Sequence, residues 1–129
     1  MKHLFLILSF VSLTGCSTVV SWIPSFWDDN QSARIINIRQ TVENIDCKKP
    51  QLSQATEVQK DIQWFELYST SKGFRQQDVL KIIAPMKATT TDWINRSAGK
   101  EGSEAYCNLK KRTLQLQAER AASAILGRY

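Results

Sequence analysis

From Asp29 onward, apolar residues recur with a helical period and few interruptions. Ile35, Ile38, Val42 and Ile45 fall on one face of a helix with 3.6 residues per turn. That helix is expected to start at Asp29 or Asn30, both good N-caps, and to end at Cys47-Lys48-Lys49-Pro50. Pro50 cannot continue a helix, and the lysines suit its negative end. A second helix is expected from Ser53, with Ala55, Val58, Ile62 and Phe65 as its stripe and Trp64 and Tyr68 flanking it. Ser71-Lys72-Gly73 stops it, with Gly73 past the C-cap. Val79, Ile82, Ile83, Met86, Thr90, Trp93 and Ile94 hold phase over a third helix, Arg75 to Arg96. Pro85 lies inside it, and because the phase survives, a kink is expected rather than a loop. After the loop SAGKEGS (97–103), a fourth helix spans Ser103 to Gly127. It carries two stripes: Tyr106, Leu109, Thr113 and Leu116, and Cys107, Leu114, Ala118, Ala121 and Ile125. The fold expected is all-α, a small four-helix up-down bundle.

The chain ahead of Asp29 has a different pattern. Met1-Lys2-His3 is a charged start, and Leu4 to Val11 is an apolar run broken only by Ser9. A spanning helix needs about 20 such residues, so this run is too short to cross a bilayer and fits a signal-peptide core. Leu13-Thr14-Gly15-Cys16 follows. These residues resemble the lipobox of bacterial prolipoproteins, and the resemblance is confined to the first 16 residues. It implies a diacylglycerol thioether on Cys16, cleavage before that residue, and an acylated new amine, with palmitate-like chains. Two or three buried chains, each contributing about 0.8 kcal/mol per CH₂, anchor a protein stably. The organisation expected is a signal peptide over 1–15, a lipidated N-terminus and tether over 16–29, and a helical domain over 30–129. In lipoproteins of enteric-type bacteria, an Asp after the lipidated Cys favours the inner membrane. Ser17 stands there, so the resemblance points to the periplasmic face of the outer membrane. The inner membrane and a Gram-positive surface stay open. The tether holds Trp22, Ile23, Phe26 and Trp27, which suit either headgroup depth or packing on the domain itself.

With Cys16 acylated, Cys47 and Cys107 remain. An exported chain meets an oxidising compartment, which favours a disulfide. In an up-down bundle the end of the first helix lies beside the start of the fourth, where these cysteines fall. A crosslink closing so long a loop contributes about 4 kcal/mol.

Composition narrows the chemistry. Five Gly and three Pro in 129 residues argue against a loop-rich all-β fold. The single histidine, His3, lies in the segment expected to be removed. Ser-His and Cys-His catalysis and histidine-ligated zinc therefore drop out of the mature chain. Phosphate-loop and EF-hand motifs are missing from the sequence. No cofactor is expected beyond the lipid on Cys16. Carboxylate chemistry remains, with Glu101 and Glu104 at the fourth helix's start as candidates for cutting peptidoglycan. Their other reading is helix-dipole complementation.

A net charge of +5 suits an anionic surface without naming one. Lys110-Lys111-Arg112 reads either as a patch for an anionic partner or as a solvated helix face. Nucleic acid is not expected, because no binding motif is present. Of the aromatics Trp64, Phe65, Tyr68, Phe74 and Trp93, most are expected in the core; Trp64 and Tyr68 are the pair expected at the surface and form a candidate partner face.

Together these readings describe a non-enzymatic envelope lipoprotein. It would be held by its lipid and would present a helical domain to an envelope protein, as an accessory, inhibitor or structural adaptor. The alternative is a phage-related lysis or superinfection-exclusion lipoprotein, and a peptidoglycan hydrolase is the further one.

Overall fold

The computed structural model describes residues 27–128. The segments expected to be a signal peptide and a lipidated tether, with Cys16 and all residues up to Phe26, lie outside the described residues, as does the side chain of Phe74. Four helices follow one another: α1 (Asp29–Glu43), α2 (Gln51–Ser71), α3 (Gln77–Ser97) and α4 (Glu104–Leu126). Each packs on its two neighbours, α1 on α2 and α4, and α3 on α2 and α4. The chain is an antiparallel four-helix bundle, as the periodicity predicts. Both ends of the described chain lie at one end of it, where Arg128 Nη2 donates to Gln31 Oε1 at 3.1 Å. The opposite end carries the Cys47–Cys107 disulfide, with Cα atoms 5.6 Å apart.

The apolar stripes meet in the interior. Ile35, Ile38, Val42, Val58, Ile62, Phe65, Ile83, Met86, Trp93, Leu114 and Ile125 are all inaccessible to solvent. Burying a side chain of this size contributes about 1.5–3 kcal/mol. Of the two stripes on α4, the one through Cys107, Leu114, Ala118, Ala121 and Ile125 is core. The other leaves Leu109 61% and Leu116 50% exposed. The small residues Ala118, Ala121 and Ala122 let α4 approach its neighbours closely.

Helix boundaries differ from the sequence reading where a distant partner intervenes. Asp28, not Asp29 or Asn30, caps α1: its backbone is extended and its Oδ1 accepts from Gln31 N at 2.8 Å. The three residues are equivalent by type, and only the one with non-helical dihedrals can cap. α1 ends at Glu43 rather than near Pro50. Gln54 of α2 binds the loop, accepting from Asp46 N at 2.8 Å and donating to Asp46 O and Pro50 O, while Lys111 Nζ donates to Ile45 O at 2.7 Å. α2 begins at Gln51, two residues before Ser53, because Glu101 accepts from its first N–H. Gly73 follows α2 with φ +96°, a left-handed conformation suited to glycine. A 3-10 turn, Phe74–Gln76, leads into α3, which continues through Pro85 as one helix. Ser103 caps α4, accepting from Tyr106 N at 3.1 Å.

Candidate functional site

The expected surface pair is half-exposed and ordered by its neighbours. Trp64 and Tyr68 lie one turn apart on α2, and their rings stack at 5.1 Å with planes 8° apart. Arg34 of α1 crosses to place its guanidinium 4.2 Å from the Trp64 ring centre. The same guanidinium pairs with Asp61 at 3.0 Å, and Asp61 also accepts from Thr41 Oγ1 at 2.9 Å. Tyr68 Oη accepts from Asn30 Nδ2 at 2.8 Å and donates to Asp28 Oδ2 at 3.2 Å. Lys72 pairs with Asp28 and lies 5.6 Å from the Tyr68 ring centre. The result is a row of Arg34, Trp64, Tyr68 and Lys72 along the α1–α2 face. Trp, Tyr and Arg are the types most enriched among residues that dominate protein interfaces. Here stacking and ion pairing hold them, which lowers the entropy lost on binding.

Asp28 anchors one end of this row. Its burial favours the neutral acid, but the Lys72 ammonium and the Gln31 backbone N–H outweigh that, and the carboxyl sits below its ordinary value. Lys72 is raised in turn, chiefly by its hydrogen bond to Asp28. Beside them Gln31 is fully buried, with Nε2 donating to Ser69 Oγ at 2.9 Å and Gln76 Oε1 at 2.7 Å. Arg128 is pulled below its usual value by burial.

Lys110, Lys111 and Arg112 do not form one patch. Successive helical residues point about 100° apart, and each finds a different environment. Lys110 reaches α3 to pair with Asp92, Lys111 binds the Ile45 carbonyl, and Arg112 is exposed. Lys110 and Arg96 together hold the Asp92 carboxyl below its ordinary range.

The carboxylates considered for hydrolysis have structural partners or exposure instead of a cleft. Glu101 Oε1 accepts from Gln51 N at 2.5 Å and so caps α2, while Glu104 lies exposed in the first turn of α4. Gln51 is the centre of the disulfide end. Its Oε1 accepts from the buried Trp93 Nε1 at 3.0 Å, and its Nε2 donates to Gly102 O at 2.7 Å and Ser103 O at 3.1 Å. Neither Gln31 nor Gln51 stands out in the sequence, since a glutamine at a helix end carries no signal of burial. Among the described residues no group of His, Cys, Asp and Glu is placed to hold a metal ion. No helix there is long and apolar enough to cross a membrane.

The fold and the site together define a disulfide-closed helical bundle with an ordered aromatic-cationic face. Comparison with protein-family models, curated proteins and solved structures found no match to this chain.

Proposed function

We propose that this chain is an envelope lipoprotein, anchored through Cys16, that presents its bundle to a protein partner and performs no catalysis. One observation carries the reading: the bonded Cys47–Cys107 pair. Such a bond belongs to an oxidising compartment, and it points to export independently of the leader. The leader and its Leu13-Thr14-Gly15-Cys16 motif supply the address. Geometry supplies the display. The described chain begins at Trp27, at the end of the bundle away from the disulfide. A lipid on Cys16 would therefore tether the termini end and leave the disulfide end pointing outward. The Arg34–Trp64–Tyr68 row would be the first surface offered to a protein near the membrane. Ser17 after the lipidated residue supports periplasmic display at the outer membrane, as the resemblance to enteric-type lipoproteins implies.

The test has two parts. Intact-mass analysis of the exported protein is expected to show residues 1–15 removed and Cys16 carrying acyl chains, with both absent in Cys16→Ser. In-cell crosslinking of the tagged protein is then expected to enrich one defined envelope protein with the lipidated form only. Trp64→Ala with Tyr68→Ala should lower that enrichment. An unmodified Cys16 would refute the anchor, and recovery of wall or lipid material alone would refute protein recognition.

A further inference from the structure

We infer that the groove between α3 and α4 is a second binding site, for a peptide segment carrying an apolar residue beside carboxylates. This rests on the proposal that the bundle recognises protein, and it names the chemistry of a partner at a different face.

The groove is lined by Ile82, Pro85, Ala121 and Ala124, with Lys81 and Arg120 beside them. Ala121 is buried and Ala124 exposed, so two small residues leave a trough beside the proline ring. The cations lining two other grooves, Arg34 and Lys87, are neutralised. Arg34 pairs with Asp61, and Lys87 pairs with Glu66 at 2.9 Å. Lys81 and Arg120 have no ion pair or hydrogen bond among the described residues, yet they stand on opposite walls of one apolar trough. The acid one turn before Lys81 on α3, Asp78, exerts its field on Arg128 at the termini end. An occupant bearing negative charge on both sides of an apolar group would complement this arrangement.

The same groove offers acceptors. Gln117 lines it with a buried Oε1 that has no donor opposite. Pro85 has no N–H to return to the carbonyl of Lys81, one turn earlier. A buried acceptor without a donor has lost its hydration with nothing in return, and an incoming N–H restores the missing hydrogen bond. Acceptors beside cations call for a ligand with both donors and carboxylates. A peptide segment has both, whereas a phosphodiester headgroup alone supplies only the negative charge. An amphipathic helix laid in the groove would be the simplest form.

The test places a photo-reactive phenylalanine analogue at Ala124 in the full chain, in its native cells, with a second variant carrying it at Leu67 on α2. Irradiation at position 124 is expected to give a discrete protein adduct. Sequencing of the joined peptide should show an apolar residue flanked by Asp or Glu. Lys81→Glu with Arg120→Glu should lower the yield about tenfold or more, and Lys81→Arg with Arg120→Lys should preserve it. Both pairs are exposed, and helicity and the intact disulfide verify folding. The inference is overturned by no adduct at 124, by an adduct indifferent to charge reversal, by lipid adducts alone, or by a second copy of this chain. The mass of Cys16 is read in the same samples. A lipidated protein crosslinked only from position 67 overturns the groove and leaves the proposed function standing; an unlipidated Cys16 overturns the anchor and leaves the groove result readable.

Discussion

Replacing Gln51 by Leu tests whether the disulfide end is held by one side chain. The swap keeps nearly the same volume, so the loss of hydrogen bonds dominates over cavity formation. Three bonds disappear: Trp93 Nε1 to Oε1 at 3.0 Å, and Nε2 to Gly102 O at 2.7 Å and Ser103 O at 3.1 Å. Trp93 is fully buried, so its indole N–H would remain without a partner. An unsatisfied buried donor costs about 1–3 kcal/mol. The Gly102 and Ser103 carbonyls lie at the end of the bundle and regain water, so each adds at most about 0.5–1 kcal/mol. A loss of about 2–4 kcal/mol follows, or on the order of 10 °C or more in Tm for a domain of this size. Urea unfolding followed by tryptophan fluorescence and far-UV dichroism measures it. Trp93→Phe removes the orphaned donor, so the cost of Gln51→Leu should be smaller in that background by about 1 kcal/mol or more. A loss under about 0.5 kcal/mol in the parent, or perfect additivity with Trp93→Phe, would refute this reasoning.

Three further outcomes are expected. Cys47→Ser with Cys107→Ser opens a loop of 60 residues and should lower stability by about 4 kcal/mol; unfolding curves with and without reductant check it, and the parent should change mobility on reduction. The depressed Asp28 carboxyl contributes stability that is whole above its unfolded value of 3.8 and is lost as pH falls through its lower folded value. The parent's Tm should therefore drop more steeply below about pH 4 than that of Asp28→Asn, which can still cap α1 but carries no titrating group. Gly102→Ala would set a Cβ 2.7 Å from Tyr106 Cδ1 and 3.0 Å from Gln51 Oε1; a destabilisation of about 1–3 kcal/mol is expected, and it should shrink in a Tyr106→Ala background.

The legibility of this fold varies from element to element. The stripes of α1 and α2 are readable because a buried helical face repeats every three or four residues, and Ile35, Ile38, Val42 and Ala55, Val58, Ile62, Phe65 do so without exception. The cysteine pair is readable because an up-down topology brings the end of α1 beside the start of α4. On α4 two stripes compete, and periodicity alone could not say that Leu109 and Leu116 would face outward. Trp64 and Tyr68 are legible as surface residues from their displaced phase, but the Arg34 and Asn30 that hold them are not.

The sequence by itself determined four helices, their order, the interior stripe of the first three, and the residues that can pair as a disulfide. Local periodicity and backbone stereochemistry act within a few residues, so they are written along the chain. Tertiary structure alone decided that Glu101 caps α2 from 50 residues away, and that Gln31 and Gln51 tie the two ends. It also scattered Lys110, Lys111 and Arg112 and set Lys81 across a groove from Arg120. Each of these depends on which groups meet across helices. A hydrogen bond or a field between charges is set by distance in space, and a helical pattern encodes only which face turns inward.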